Sequence, residues 1–583
     1  MCGVVGIALA QRDRVANEKI VLAMRDALRH RGPDEAGSYL GTGVGLGYRR
    51  LSIIDLSHGQ QPMVDAAAGF ALIYNGELYN FGQLRAELET TGMAFESRCD
   101  TEVLLRAWQR WGEGCLTRLR GMFAFAVWDM RAKRIYLARD HIGIKPLYYG
   151  FTHRGDLVFA SELKGVLAHP EVERRIDPQA LEDYMAFGYV PDPKCIYRGI
   201  FKLPPGHWLS WTAGEPTPVV RQYWDVPFAV DGNIGMEEAT ARLRTLLGDS
   251  VASQMVSDVP LGAFLSGGVD SSAVVASMCR VARGSVNTCA IGFDHAQFDE
   301  TCYAHEVAEH LGTTHFEERV GSDDHDLIDT LAGGYDEPFA DSSALPTYRV
   351  CELARRHVTV ALSGDGGDEN FAGYRRYRLH AWESRLRARL PSALRAPVFG
   401  ALGRVYPKID WAPRPLRAKT TLQALACDDV EAYFHSTSTT SAALRRKLYS
   451  KRFKRKLQGY TALEVFRSHA SRALTDHPLS HVQYLDFKTS LPGDSLTKVD
   501  RASMAQSLEV RVPLLEHRLV AWASSLPPGM KLKNRTGKYV FKKMLEPDLP
   551  RGVLYRNKMG FSVPLASRLR GPLARQTSVV LRN

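Results

Sequence analysis

The chain has 583 residues, too many for one hydrophobic core, so two or three domains are expected. Its 45% hydrophobic and 24% charged residues are those of an ordinary globular protein, and no apolar run approaches the roughly 20 residues that span a bilayer. The net charge of +11 is concentrated in residues 381–460, which hold 17 Lys/Arg against 5 Asp/Glu and leave the rest of the chain near neutral.

The chain opens "MCGVVGIALA", with a cysteine in second place and a strand-length apolar run behind it. Up to about residue 205 the pattern is of short strands ("FALIYNG", "FAFAVWD", "RIYLARD", "LVFASE") and a few helices. "NEKIVLAMRDALRHRG", "NFGQLRAELETTG" and "DTEVLLRAWQRWG" carry apolar residues at helical spacing, open on Asn or Asp and stop at Gly. This predicts an α+β domain over 1–205. The Pro/Gly-rich stretch "YVPDPKCIYRGIFKLPPGHWL" reads as the connection to a second domain, 206–583. There "LGAFLSGG", "VNTCAIGF" and "VTVALSGDGG" alternate with helical segments, which predicts an α/β domain with a parallel sheet. From about residue 371 the chain is expected to be largely helical. The basic segment 381–460 ("RLRARLPSALR", "RRKLYSKRFKRKLQ") reads as amphipathic helices broken at prolines. It is a solvated face or a docking surface for an acidic partner, a membrane surface or nucleic acid; no nucleic-acid module accompanies it, so nucleic acid is not expected.

The nine cysteines form no CxxC pair and are odd in number, which argues against a disulfide framework and a zinc site. The N-terminus has no charged leader region or cleavage site, so a cytoplasmic protein is expected.

Two loops in the second half carry chemistry. In "FLSGGVDSS" an apolar strand runs into Ser266, Gly267 and Gly268, and a helix begins at Asp270, Ser271 and Ser272. Glycines let backbone N–H groups close on an anion, and the helix N-terminus adds a favourable dipole. Asp270 suits an anion bridged by magnesium. The loop lacks the GK[ST] of a P-loop and the third glycine of a dinucleotide fold. "LSGDGGDEN" offers Ser363, Gly364, Asp365, Asp368 and Glu369 after another strand. Loops at the carboxyl ends of parallel strands face one crevice, so Asp270 and Asp368 are candidates to share Mg²⁺ in a nucleotide site.

"SGGVDSS" resembles the pyrophosphate loop of the ATP pyrophosphatase superfamily. The resemblance implies ATP and Mg²⁺, with Ser266 to Ser272 cradling the β,γ-phosphates and Asp270 and Asp368 holding the metal. It also implies that Ile291 packs against adenine beside Ser363 and Gly364.

In the first half, removal of Met1, plausible before a small side chain, would give Cys2 a free α-amine. That amine titrates at about 7.7–8.0, so its neutral form is available to take the thiol proton. Asn75 and Gly76 in "YNGELYN" offer oxyanion donors, Arg50 in "GYRRLSIID" suits a carboxylate, and Asp100 in "RCDTE" suits an ammonium group. Together they read as an amino-acid site. With "RHRGPD", "GMFAFAVWD" and "RDHIGIKPLYY", the set resembles class II glutamine amidotransferases, which are N-terminal-nucleophile hydrolases. This implies stacked antiparallel sheets with flanking helices. It also implies Cys2 attack on glutamine, an oxyanion held by Asn75 and Gly76, and glutamine bound by Arg50 and Asp100, with Glu77 lining the pocket.

End to end, with "LPGDSLTKVDRASMAQSLEVRVPLLEHRLV" and "GKYVFKK…LYRNKMGFSVP", the chain resembles glutamine-hydrolysing asparagine synthetases. The resemblance implies adenylylation of aspartate, an internal ammonia channel, and catalytic roles for Asp365 and Lys538, with Arg556 and Lys558 near the phosphates. Asp365 stands where the best-known bacterial members of that family carry Glu. The basic segment and "YDEPFADSSALPTYRVCELARRHVTVALSGDGGDE" are most similar to the exosortase- and exopolysaccharide-associated amidotransferases, for which another carboxylate acceptor is an alternative. A homodimer is a further expectation, as is an acidic partner for 381–460.

Overall fold

The computed structural model describes residues 2–229, 232–293, 299–320, 327–407 and 418–556, with Gly571, Ala574, Ser578 and Val579 beyond them. The opening apolar run forms β1 (Gly3–Ala8), buried throughout. β1 is central in an antiparallel sheet ordered Ile200–Lys202, Tyr148–Phe151, Leu157–Ala160, β1, β2 (Val44–Arg50), Glu35–Gly41. A second antiparallel sheet runs Met63–Asp65, β3 (Phe70–Leu78), β4 (Gly121–Asp129), Arg134–Arg139, His207–Thr212, Val219–Gln222.

Period-two alternation along β1 explains the layering. Cys2, Val4 and Ala8 join Leu46, Ile73, Ala124 and Trp128 in the core between the sheets. Val5 and Ile7 point the other way, onto Val21, Met24 and Leu28 of the helix Glu18–Asp26 and the turn after it. The outer face of the second sheet is covered by α1 (Asp100–Trp111), through Val103, Leu104 and Trp108. The result is two stacked antiparallel sheets with flanking helices, as the sequence predicted. The strands His207–Thr212 and Val219–Gln222 carry the second sheet past the boundary expected at 205, because the Pro/Gly-rich stretch supplies the strand Ile200–Lys202 to the first sheet and then crosses to the second.

The second unit is built on a five-stranded, wholly parallel sheet. Its strands are β5 (Leu261–Phe264), β6 (Asn287–Phe293), β7 (Thr314–Val320), β8 (Val360–Leu362) and β9 (Glu509–Arg511), in the spatial order β7-β6-β5-β8-β9. β8 alternates, with Val360 and Leu362 in one core and Ala361 in another, so both faces of the sheet are covered. The order reverses between β5 and β8. Ligands of open α/β sheets bind at such a switch point, outside the carboxyl ends of the strands. Both glycine-rich loops emerge there, the first leading into α2 (Val269–Val281).

Beyond residue 371 the chain is largely helical. α3 (Arg375–Ala388), α4 (Ser392–Val405) and α5 (Lys419–Ala426) form part of the basic segment. A π-helical turn, Leu491–Leu496, leads into α6 (Thr497–Met504), and α7 (Tyr539–Leu545) follows. One hydrophobic core is shared by the units and includes Leu51, Ile53, Met122 and Ile142 of the first with Leu362, Leu496 and Leu514 of the second. No helix among the described residues is long and apolar enough to cross a membrane.

Candidate active site

Cys2 lies just ahead of β1, 7% exposed, at the wall of a pocket lined by Tyr48, Arg50, Gln61, Tyr74, Gly76, Glu77, Asp100 and Thr101. Its backbone nitrogen donates to Asn75 Oδ1 at 2.9 Å, and its Sγ accepts the Tyr48 hydroxyl proton. Asn75 is fully buried, and its Nδ2 has no hydrogen-bond partner among the described residues. A buried amide donor left without a partner is costly in a core, and it suits a site where charge arrives with the substrate. Gly76 has to be glycine: a Cβ would stand 2.1 Å from Met122 O of the paired strand. Tyr48 resists ionisation because burial, and then the neighbouring Cys2, push its hydroxyl well up.

Asp100 begins α1, where the helix N-terminus favours its charge. Its Oδ2 accepts from Tyr74 OH at 2.9 Å and Leu78 N at 3.0 Å. Burial nevertheless raises its carboxyl above the usual range. Burial also holds Glu77 well above the usual range, with Asp100 and Glu509 adding to the effect and Arg511 opposing it. Arg50 reaches the pocket, but its guanidinium is already engaged: Nη1 is 2.9 Å from Glu35 Oε1, and Nη2 donates to Asp55 O at 2.7 Å. A substrate carboxylate at Arg50 therefore shares or displaces Glu35.

At the switch point of the parallel sheet the two loops touch. Gly267 has φ +65°, and a Cβ there would stand 2.4 Å from Tyr303 C. Ser266 and Ser271 share a hydroxyl contact at 3.0 Å, and the buried Ser272 hydroxyl has no partner among the described residues. In the second loop, a Cβ on Gly364 would lie 2.6 Å from Ser271 N, and one on Gly367 would lie 2.3 Å from Asp270 Oδ1. Lys538 brings the carboxylates together: its Nζ contacts Asp270 Oδ2 and lies 2.6 Å from Asp368 Oδ1. Burial works against this ammonium, but the two carboxylates outweigh it and raise its pKa. Asp365 is turned back on its own loop, accepting from Ser363 Oγ at 2.5 Å. Ile291 sits midway along β6, 7% exposed, among Cys289, Phe293 and Val350. Arg556 Nη2 donates to Gly267 O at 3.2 Å and Glu300 Oε1 at 2.8 Å, leaving its buried Nε and Nη1 without a partner among the described residues. Lys558 lies outside the described residues.

Some residues of these sites are not legible as motifs. Gln61 Nε2 donates to Tyr48 OH at 2.8 Å and Thr101 Oγ1 at 3.2 Å, which ties the neighbour of Cys2 to α1. Tyr48 was within reach of sequence reasoning, since it is two residues from Arg50 and shares its strand face. Beside the second loop, Lys498 Nζ donates to Asp341 Oδ2 and Ser343 Oγ, both at 2.7 Å. Asp365 contributes to the field that keeps Lys498 charged against its burial. Asp494, in the π turn, is pushed up to about 7 by burial and by Asp341. Arg511 and Arg31 are among the residues that join the halves. Arg511 faces Glu77 at 3.6 Å, and its carbonyl accepts Ser363 N at 2.8 Å. Arg31, fully buried, donates from Nε to Cys2 O at 3.2 Å and from both terminal nitrogens to Asp500 at 2.8 and 2.9 Å.

Comparison with known proteins gives two family matches, "Glutamine amidotransferase domain" over residues 1–224 and "Asparagine synthase" over residues 242–582. The chain is 34% identical to asparagine synthetase [glutamine-hydrolyzing] 1 of Bacillus subtilis, covering 98% of this chain and 88% of that protein. It is 31% identical to asparagine synthetase [glutamine-hydrolyzing] 3 of the same organism, covering 96% and 86%. Among solved structures, a glutamine phosphoribosylpyrophosphate amidotransferase from B. subtilis matches 62% of this chain and 81% of its own, at 15% identity and a TM-score of 0.29.

Proposed function

Because this chain belongs to the asparagine synthase family, we propose that it hydrolyses glutamine at Cys2 and uses the ammonia to convert aspartate to asparagine, with ATP going to AMP and pyrophosphate. The observation that supports this most directly is a single strand touching both sites: in β9, the Arg511 side chain faces Glu77 while its carbonyl takes Ser363 N.

In the first half-reaction, the nitrogen now held by Asn75 Oδ1 becomes an α-amine once Met1 is removed. It takes the thiol proton, and Sγ attacks the glutamine carboxamide carbon. The developing oxyanion is met by Asn75 Nδ2 and the Gly76 N–H. The proton passes to the departing nitrogen, ammonia leaves, and water cleaves the thioester to glutamate. Arg50 takes the α-carboxylate, Asp100 the α-ammonium, and Glu77 lines the pocket beside them.

In the second, the backbone and hydroxyls of Ser266, Gly267, Gly268, Ser271 and Ser272 cradle the β,γ-phosphates, and Arg556 adds charge at the same loop. Ile291, Ser363 and Gly364 border the adenine. An aspartate side-chain oxygen attacks the α-phosphorus, pyrophosphate leaves, and ammonia then displaces AMP from the acyl carbon. Lys538 balances the phosphate charge, and Asp365 receives a proton from the attacking ammonia. Asp341, Asp494 and Lys498, beside Asp365, offer an ammonium and carboxylates to the amino-acid end of the acceptor. Asp270 and Asp368 are hard oxygen donors that already converge on one cation, so they fit Mg²⁺, which when bound would neutralise charge on the phosphates. Ammonia released in bulk water would be protonated and lost. A cavity at the contact of the two units, lined by Ile144, Lys145, Val499, Ser503 and Val512, supports an internal path.

The test is pyrophosphate and AMP release by the purified protein with ATP, Mg²⁺ and glutamine, with and without aspartate. Aspartate-dependent release with stoichiometric asparagine is expected. Glutamine hydrolysis with no aspartate-dependent pyrophosphate would overturn aspartate as the acceptor.

A further inference from the structure

The helices α3 and α4 present an outward surface that the two reactions do not use. Residues 375–405 contain eight arginines and one acidic residue, Glu383. Glu383 is turned inward, and burial pushes its carboxyl up to about 7. The inward arginines are satisfied: Arg376 pairs with Asp486 at 2.7 Å, and Arg387 Nε donates to Asp429 at 2.7 Å. The outward arginines Arg375, Arg385 and Arg389 are exposed and form no ion pair among the described residues.

Between and beyond these arginines, large apolar side chains also point outward. Trp382 of α3 is 53% exposed. On α4, Leu394, Val398, Leu402 and Val405 are 65%, 53%, 49% and 84% exposed. Their spacing places them on one stripe of the helix. In a soluble helix that stripe faces the core; here it faces away. The inner side of α4 rests on α5, where Gly403 packs against Gln423 and Arg395 donates to Leu425 O at 2.7 Å. α5 also underlies α3, through Arg387 to Ala424 O.

We propose that this face is a docking surface for an anionic phospholipid bilayer, on which α3 and α4 lie in the interface plane. Apolar side chains enter the acyl boundary, Trp382 suits the headgroup level, and the arginines meet lipid phosphates in bidentate fashion. The charge decides between occupants. A second copy related by two-fold symmetry would set arginines against arginines, with no carboxylate on the face to relieve them. A nucleic acid would satisfy the arginines and leave the Leu/Val stripe wet.

The experiment is co-sedimentation of the full chain with vesicles of phosphatidylcholine alone or mixed with phosphatidylglycerol. Sedimentation with the mixed vesicles only, weakened by added salt, is expected. Leu394→Glu with Val398→Glu, and separately Arg385→Glu with Arg389→Glu, should each weaken binding by about tenfold or more at an unchanged melting temperature. Absence of sedimentation with the mixed vesicles overturns the proposal, as does undiminished binding by folded variants. So does a wild-type dimer in sedimentation velocity that Leu394→Glu with Val398→Glu converts to monomer. If a variant fails to fold, the wild-type salt titration decides: binding indifferent to salt overturns the proposal.

Discussion

Asn75 carries the sharpest prediction, because its two ends do different work. Oδ1 accepts the Cys2 nitrogen at 2.9 Å and so fixes Cys2, while Nδ2 is a buried donor with no partner among the described residues. Asn75→Asp separates these roles. The side chain keeps its size and an acceptor for the Cys2 nitrogen, but the donor becomes a second carboxylate oxygen aimed at the developing oxyanion. Loss of one preorganised oxyanion donor costs on the order of 10² to 10³ in kcat, about 2.7–4 kcal/mol. A negative group in its place costs at least that much. The assay is steady-state glutamine hydrolysis, read as kcat and KM separately, alongside asparagine synthesis from ammonium salts. The expectation is a fall in glutaminase kcat of a hundredfold or more, little change in KM, and ammonia-dependent synthesis near wild type. A kcat within about tenfold of wild type, or a loss confined to KM, would refute the oxyanion assignment. Equal loss of ammonia-dependent synthesis would mean that the substitution disturbs the fold.

Cys2→Ala should abolish glutamine-dependent synthesis and leave synthesis from ammonium salts, with the wild-type protein lacking Met1 by intact mass; loss of both activities in a folded variant sinks the nucleophile assignment. Asp270→Asn should do the reverse, removing ATP-dependent pyrophosphate release while basal glutaminase persists. It also leaves Lys538 with Asp368 alone, so the ammonium's raised pKa should fall, which a pH titration of Lys538 by isotope-labelled NMR would read. Asp494 yields a stability prediction with a definite sign. Its carboxyl is pushed up to about 7 by burial, so between the ordinary aspartate range and about 7 the folded chain holds a proton that the unfolded chain has released. That contribution is fully present below the ordinary range and is lost as pH rises through about 7. Asp494→Asn removes the dependence, so the variant's melting temperature relative to wild type should climb from pH 5 to pH 8; a flat or falling difference refutes the assignment.

The legible parts of this molecule are those whose chemistry is local in sequence. "SGGVDSS" can be read because Gly267 must adopt positive φ against Tyr303 and because Ser266, Ser271 and Ser272 all lie within seven residues around the helix start. "YNGELYN" can be read because Gly76 leaves room for the Met122 carbonyl of the paired strand. The parallel sheet follows from alternating strand and helix, but its order, with β8 beside β5, does not; that order is what presses Gly364 against Ser271. Arg50 shows the converse. The residue type suggested a free clamp, and only the folded chain reveals Glu35 already on it. Arg31 and Asp500 carry no local signal, since they pair with each other 469 residues apart, and Arg511, although it bonds Glu509 two residues away, meets Glu77 only in the folded chain.

Long-range ion pairs also tie the two halves together. Arg31, Glu162, Asp500 and Arg501 are all at most 4% exposed, yet all are charged and mutually paired. Burying such a cluster costs so much in desolvation that apolar residues of the same volume are often equally or more stabilising. Stability alone is therefore a weak reason for it. What an apolar contact lacks is direction. Arg31 uses its three nitrogens in three directions, one on the Cys2 carbonyl, one shared with Glu162 and two on Asp500 at the heart of α6. α6 is the helix that begins with Thr497 and Lys498, so the ammonium beside Asp341 and the backbone of Cys2 are tied to the same short helix through one guanidinium. A shift of α6 that leaves the apolar contacts nearly unchanged breaks a bidentate pair and pulls on Cys2. The pocket at Cys2 is thereby held in register with the loops of the parallel sheet by directional bonds rather than by packing alone.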